Sequence, residues 1–485
     1  MKTYLKKKMN YGLLAAVMVL FICAITLFVR PIVGMADNGD FFRIMSQSDL
    51  YYMSSSNKNR FLGYFTKDYG IYRYNNDNAK IIVSTQLIFT KVAVFIAKLL
   101  TEGYIFDIRI LAFLYTIVYA AAAYLIVNVM TVNLKSHKYK LLITALFVFI
   151  FCDTGYIAYF NSFFAEAVNL SFFLLSLGIL LYIYKFKKYT IINLILFSIT
   201  SIIFIGSKQQ LAPIGIFAAL ILIRIFIKHN KKIFRYTAMV LSLIILASSF
   251  YLYRSISGDF DYINRYHAMT RGVLLNEVNP DNIMKQFNIN RQYSMLQGTI
   301  YFDELPIIDP GGEKLKKEFY SKYSFFNVLT FYLKNPSAMK KMINLAVING
   351  YSIRPRVIGN YEKNEGKPFG RQSHFFSMWS SIKENYIPHS LFLTVVVFGI
   401  YFVFAAKRYI ATRKNGDIHS QLFEEAFLYV FLVGVSQIFI SIIGAGDADL
   451  AKHVFMFNVT FDLMFLYSVC LIIKKFTVKG DKNEN

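Results

Sequence analysis

Two aspartates, Asp37 and Asp40, flank an Asn-Gly pair directly after the first long apolar segment of the chain. Asn-Gly favours a tight turn, so the two aspartates form its ends, with Cα atoms less than about 7 Å apart. Such a pair could supply a catalytic base with a supporting partner, or it could bind a divalent metal such as Mg²⁺ or Mn²⁺. The same residues would equally suit a solvated turn that leaves the membrane.

A second acidic position, Asp153, falls inside an apolar run and is followed by Tyr159, Asn161 and Glu166. A carboxylate at this depth costs about 2.5–3.5 kcal/mol to insert, so Asp153 must face a polar cavity or a partner. It is therefore either a functional residue or a buried group that fixes helix packing through hydrogen bonds.

Several cations could neutralise a phosphate. Lys208 lies in a short turn between two apolar runs, where it could bind a phosphate or extend toward ordinary phospholipid headgroups. The candidate phosphate-binding residues are Lys208, Lys452, His453, Arg354 and Arg356. The candidate acceptor or cavity residues are Arg43, Asp153, Tyr159, Asn161, Glu166, Asp447 and Asp449.

The elements that must position these residues are strongly apolar. Hydrophobic residues make up 56% of the 485-residue chain, which is typical of a membrane protein. Runs of about 20 apolar residues, the length that crosses a bilayer, occur near 11–29, 108–130, 141–160, 166–184, 189–206, 210–227, 236–253, 388–405, 424–443 and 454–473. We therefore predict an all-α polytopic membrane protein with about ten transmembrane helices.

Basic residues are concentrated at the N-terminus and in alternate loops, at 135–140, 185–188, 228–232, 407–414 and 474–479. The positive-inside rule places these loops and both termini in the cytoplasm. We predict that the membrane is the plasma membrane of the cell. The net charge of +24 thus orients the chain in the lipid and does not indicate a nucleic-acid partner.

This topology leaves two external regions. The first, 30–107, contains the apolar segment 81–100, whose Ser84, Lys91 and Lys98 share one face, so we predict an amphipathic helix at the interface. The second, 254–387, includes a helix-like stretch at 313–333 and forms an external domain. The predicted domains are thus an N-terminal module of seven helices over 1–253, the external domain 254–387, and a C-terminal module of three helices over 388–485.

The candidate residues converge on the external ends of several helices, and the cytoplasmic loops hold little besides short basic runs. No P-loop or dinucleotide fingerprint is present in the sequence. A substrate activated on a lipid phosphate fits this layout, because its tail can lie in the bilayer while its phosphate meets Lys or Arg.

Five short motifs carry a family resemblance. They are Asp37 to Arg43, the amphipathic segment before Phe106 to Arg109, Tyr159 to Ser162 with Glu166, Ser207 to Gln209, and Asp447 to His453. In these the chain resembles glycosyltransferases of the GT-C fold, and more narrowly bacterial glycan-biosynthesis hexose transferases. It lacks the Pro-Pro pair that some relatives have in the juxtamembrane helix.

The resemblance implies a polyprenyl-phosphate sugar donor, a cell-envelope glycan as acceptor, and an acidic residue of the first external loop, Asp37 or Asp40, as catalytic base or metal neighbour. A single displacement would invert the anomeric carbon, with an aspartate as base. Two alternatives stay open. One is a transporter or flippase that uses the intramembrane carboxylates Asp153 and Asp462; the other is an external glycan polymerase or ligase.

Overall fold

The computed structural model describes residues 9–73, 82–100, 104–256, 258–275 and 277–483. The basic N-terminal stretch 1–8 and Ile81, the first residue of the predicted amphipathic helix, lie outside these ranges. In chain order the α-helices are α1 (Tyr11–Phe28), α2 (Phe42–Met45), α3 (Asn57–Arg60), α4 (Gln86–Leu100), α5 (Arg109–Thr131), α6 (His137–Phe151), α7 (Thr154–Ile157), α8 (Glu166–Phe186), α9 (Ile191–Gly206), α10 (Gly215–Lys228), α11 (Lys232–Arg254), α12 (Gly258–His267), α13 (Pro280–Gln286), α14 (Glu313–Glu318), α15 (Phe325–Lys334), α16 (Pro336–Asn349), α17 (Met378–Asn385), α18 (Leu391–Lys414), α19 (Ile418–Ala445), α20 (Leu450–His453) and α21 (Phe455–Asn483).

Among the described residues, eight helices are long and apolar enough to cross a membrane. They are α1, α5, α8, α10 with the 3-10 turn before it, α11, α18, α19 and α21. A ninth span would be α6 continued by 154–160, which bends by 48°. The predicted span over 189–206 appears as the shorter helix α9. The predicted number of ten transmembrane helices is reached if the bent pair and α9 each cross the membrane, and it stays a prediction.

The bend after α6 has a local cause in Asp153. This residue caps α7, because its Oδ1 accepts a hydrogen bond from the backbone N–H of Gly155 at 2.7 Å. A side chain that satisfies the first N–H groups of a new helix starts that helix in a new direction. The predicted continuous run over 141–160 is therefore two helical pieces.

The region 30–107 is folded, with a small antiparallel sheet that the hydropathy pattern does not indicate. Its strands β1 (Leu50–Tyr51), β2 (Asp68–Ile71) and β3 (Ile105–Asp107) lie in the order β1-β2-β3. Helix α4 follows β2 in the chain and begins at Gln86, so Ser84 lies before the helix, with its hydroxyl bonded to the carbonyl of Ser207 at 2.7 Å. Lys91 and Lys98 are exposed, as an interfacial helix requires.

The region 254–387 packs around a hydrophobic cluster that includes Tyr266, Phe319 and Phe331 and continues into buried side chains of α19, α20 and α21. The predicted helix over 313–333 is interrupted, because Ser324 forms a capping box with Asn327 and begins α15 there. Such a cap supplies partners for the N–H groups of a helix start and separates α15 from α14.

A buried ionic network joins this region to the bundle. Lys383 of α17 donates hydrogen bonds to Asp462 Oδ1 at 2.8 Å and to Asn458 Oδ1 at 2.6 Å, and both charged side chains are fully buried. Asp462 Oδ2 also accepts from the Tyr156 hydroxyl at 2.6 Å and from Trp379 Nε1 at 2.7 Å. Each donor satisfies part of a charge that would otherwise be costly to bury.

Candidate functional site

The segment that leads to Asp37 is held extended by the backbone of residues 359–360. The N–H groups of Gly34 and Ala36 donate to the carbonyls of Asn360 and Gly359, at 3.1 and 3.0 Å. Asn161 adds bonds from its amide to the carbonyls of Leu27 and Val33 at 2.9 and 2.8 Å. Asn161 thus fixes the exit of the chain from α1, and its role as a cavity residue stays a prediction.

Asp37 is almost fully buried, and both of its carboxylate oxygens are bonded. Oδ1 accepts from the N–H groups of Gly39 and Phe41 at 2.8 and 3.0 Å, and Oδ2 accepts from the Tyr52 hydroxyl. Burial raises the pKa of Asp37 above its ordinary value, although these bonds act in the opposite direction. Asp37 therefore shapes the turn that presents Asp40.

Asp40 is partly exposed, with about 30% of its side chain accessible. It bonds to Lys452 and forms an ion pair with Arg43 at 3.0 Å. Burial raises the pKa of the Asp40 carboxyl, but the charges of Lys452 and Arg43 outweigh it, so the pKa lies well below the ordinary value. Asp40 is thus a carboxylate at neutral pH.

Lys452 lies between two carboxylates. Its ammonium group bonds to Asp40 and lies 3.2 Å from Asp449, and it is 4.3 Å from the centre of the Phe164 ring. Asn38, between the two turn aspartates, donates to Asp449 at 3.0 Å. Although burial lowers the pKa of Lys452, the carboxylates raise it above the ordinary value, which keeps the side chain charged.

A second cation–carboxylate pair forms the neighbouring part of this site. Lys208 lies 3.2 Å from Glu166, the buried first residue of α8, and its charge also lowers the pKa of Asp40. His453 bonds through Nδ1 to Gln210 at 2.7 Å. Burial and the nearby charge of Lys208 lower the pKa of His453, so this ring is neutral at neutral pH. We call Asp40, Glu166, Lys208, Asp449, Lys452 and His453 the charged cluster.

Asp447 lies beside this cluster and pairs with a residue that sequence reasoning missed, Arg271. The guanidinium group binds both carboxylate oxygens, at 2.7 and 2.9 Å. Gly446 permits this approach, because its φ is +61° and a Cβ there would lie 2.4 Å from the carbonyl carbon of Arg271. Arg271 belongs to the π-helical turn Ala268–Val273, and no local pattern pairs it with the distant Asp447.

Asp153 and Arg354, two further predicted site residues, form hydrogen bonds with residues outside the charged cluster. Asp153 accepts from the N–H groups of Gly155 and Ser380, at 2.7 and 2.8 Å. Arg354 is buried and donates to Asn360 Oδ1 and the Ser373 carbonyl, both at 2.5 Å.

Arg356 is exposed and pairs with Glu384. Tyr159 is buried, and its ring lies 5.1 Å from that of Phe455. The phosphate-binding roles of Arg354 and Arg356 stay predictions that these contacts do not support.

The turn aspartates are poorly arranged for a metal. Within the described part of the chain, no group of three or more His, Cys, Asp or Glu side chains is placed to hold an ion. Both oxygens of Asp37 are already bonded to donors, and Asp40 faces Lys452 and Arg43. A requirement for Mg²⁺ or Mn²⁺ stays a prediction.

The whole chain, residues 1–485, matches the family model described as the YfdI N-terminal transmembrane domain. The chain belongs to this family. A relative from Escherichia coli (strain K12), the uncharacterized protein YfdI, is 25% identical over 401 residues, which cover 78% of this chain and 79% of the relative. Together with the eight apolar helices, membership of the YfdI family establishes an α-helical multi-pass membrane protein.

Among solved structures, this YfdI-type chain is similar to the archaeal oligosaccharyltransferase AglB from Archaeoglobus fulgidus, in complex with an inhibitory peptide and a dolichol-phosphate. The identity is 13% and the TM-score is 0.39. The match covers 100% of this chain and 52% of the archaeal one, so the chain spans about half the length of that protein.

Proposed function

We propose that this protein is a GT-C-type glycosyltransferase that transfers a hexose from a polyprenyl-phosphate donor to a cell-envelope glycan on the outer face of the plasma membrane. The observation that carries the proposal is the position of Lys452 between Asp40 and Asp449. A carboxylate beside a buried cation offers a proton acceptor and a phosphate ligand within one site.

Asp40 is the base in this mechanism. It is the more accessible of the two turn aspartates, and its low pKa keeps it deprotonated, the form that a base requires. Asp40 would take the proton from the acceptor hydroxyl as its oxygen attacks the anomeric carbon. The bond from that carbon to the phosphate oxygen breaks in the same step, so the sugar is transferred with inversion and the lipid phosphate leaves.

Lys452 and Lys208 would bind the donor phosphate. In the free protein Lys452 is bound to Asp40 and Lys208 to Glu166. A phosphate that draws Lys452 away would raise the proton affinity of Asp40, because Asp40 would then share the positive charge of Lys452 with the phosphate. Donor binding would thus activate the base.

The loop charges support a site on the outer face. The charged cluster lies at the starts of α8 and α21 and at the end of α9, whereas the basic stretches 185–188 and 474–479 lie toward the opposite ends of these helices. The positive-inside rule assigns those basic loops to the cytoplasm. A donor with its lipid tail in the membrane would therefore present its sugar outside.

A transporter is less favoured, because its candidate pathway residues are engaged in packing. Asp153 caps α7, and Asp462 bonds to Lys383, Tyr156 and Trp379, with no exposed surface on either aspartate. A glycan polymerase or ligase would share the site but would use a diphosphate-linked glycan as donor, and this difference separates the two functions.

The test is transfer of labelled hexose from polyprenyl-phosphate hexose to a cell-envelope fraction by purified protein. Wild type should be active and Asp40→Asn inactive, with Asp281→Asn, an exposed aspartate of α13, as the matched control. Transfer only from a diphosphate-linked glycan would indicate a polymerase or ligase. If wild type transfers none of several sugars, the glycosyltransferase proposal fails.

A further inference from the structure

Helix α18 is attached to the bundle along one side only. Of its 24 residues, all of them described, only Thr394 is buried. Its other surfaces expose large apolar side chains, among them Phe392, Ile400 and Phe404. In a membrane these side chains contact lipid or another apolar partner.

A groove of about 820 Å³ lies between α18 and α21. Its walls are apolar, with Phe398 and Phe404 from α18 and Phe461, Met464 and Phe465 from α21. The volume falls in the range of about 300–1,000 Å³ that ligand sites occupy. Because water is absent from the hydrocarbon region, a concave apolar surface there must be filled by an apolar chain.

The length of the groove matches one leaflet of the bilayer. On α18 it extends from Val397 to Arg408, which at 1.5 Å per residue is about 17 Å. The hydrocarbon core of a bilayer is about 30 Å thick. The groove therefore accommodates a chain from one leaflet, with its polar end at the level of Lys407.

Cations surround that polar end. Lys407, Arg408, Lys474 and Lys475 line the groove, and no carboxylate is found among the described residues that line it. Arg408 is bound to Glu424 at 2.7 Å, and the side chains of Lys407 and Lys475 are exposed. A basic cluster at the headgroup level attracts anionic lipids.

We propose that this groove binds one phospholipid with an anionic headgroup, from the leaflet on the side of the basic loops. An acyl chain lies between α18 and α21, and the phosphate contacts Lys407 and Lys475. A second copy of the chain fits less well, because its equivalent end carries the same positive charge. The sugar donor is also excluded as occupant, since the charged cluster lies at the opposite end of α21; the inference does not depend on the proposed function.

The test is native mass spectrometry of the purified full-length protein, titrated with phosphatidylglycerol or with zwitterionic phosphatidylcholine of the same chain length. We expect one molecule of phosphatidylglycerol to bind at least tenfold more tightly than phosphatidylcholine. The double variant Lys407→Gln/Lys475→Gln should lose this preference. The matched control Lys228→Gln/Lys231→Gln, which removes two exposed charges from a basic stretch elsewhere, should keep it.

A second variant tests the groove itself. Ser468 lines it, so Ser468→Phe should fill part of the space and weaken binding of both lipids. The proposal is overturned if the two lipids bind equally to wild type, or if the control charges matter as much as Lys407 and Lys475. A dimer that Ser468→Phe abolishes would also overturn it, since a second copy would then occupy the groove.

Discussion

Lys452 donates a charge-assisted hydrogen bond to Asp40, although the two residues are 412 positions apart in the chain. This bond joins the turn after α1 to the short helix α20 before α21, so the first and last parts of the bundle meet at the charged cluster. Since Asp449 and Arg43 also contribute, no single bond holds the arrangement. Individual members can therefore be replaced while the fold is kept.

We expect Asp40→Asn to impair catalysis and Asp37→Asn to impair stability. Asp40→Asn should lower the transfer rate by roughly 10²–10⁴-fold with little change in melting temperature, because a general base is lost while Lys452 keeps Asp449. Asp37→Asn should lower the free energy of unfolding by about 1–3 kcal/mol, because an amide cannot accept all three of the present bonds. Thermal melts and transfer rates of both variants check this. Equal melting temperatures with equal loss of activity would contradict the separation of roles.

Lys452→Gln should move the acidic limb of the pH–rate profile to higher pH. In wild type, burial raises the pKa of Asp40, but Lys452 and Arg43 bring it well below the ordinary value, so the active carboxylate persists in acid. Without Lys452 the pKa rises toward or above about 3.9, and activity is lost at a higher pH. Profiles of kcat/KM measure the effect. Lys208→Gln should produce a smaller displacement, and an unchanged acidic limb in Lys452→Gln would exclude Asp40 as the titrating base.

Because His267 is held neutral in the folded protein, we expect it to lower the free energy of unfolding in mild acid. Its Nε2 accepts from the N–H of Tyr301 at 2.9 Å. Burial, with the charge of Arg271, lowers its pKa to about 4. The unfolded chain, with a pKa near 6.5, binds more protons between these values, so the stabilisation is complete above about pH 6.5 and falls toward pH 4 by up to about 3 kcal/mol. Unfolding measured across this range should show the slope in wild type, and His267→Gln should flatten it. An identical slope in the variant would assign the pH dependence to other groups.

Lys383→Met should lower the free energy of unfolding by about 3–5 kcal/mol, because it leaves the buried carboxylate of Asp462 without its cation. The double variant Lys383→Met/Asp462→Leu should recover part of this loss, since neither charge is then buried. Denaturation of the three proteins in one detergent makes the comparison. If the double variant is no more stable than the single one, Asp462 acts mainly through Tyr156 and Trp379.

Local sequence was sufficient for the features that depend on neighbouring residues. Apolar runs of about 20 residues became helices, because a chain in lipid must satisfy its backbone hydrogen bonds within the segment. The Asp37–Asp40 turn, the exposed Lys91 and Lys98, and the concentration of charged residues at one end of the bundle also followed from spacing and loop charge.

Only the tertiary structure decided what each polar side chain contacts. Asp37 and Asp153 looked like candidates for chemistry, yet both cap backbone N–H groups, and Arg354 is buried against Asn360. No local sequence pattern marked Arg271 as a site residue, because its partner Asp447 lies 176 residues away. The physical reason is range: hydropathy and turn preference act over a few residues, whereas the partner of a buried charge is set by which distant segments pack together.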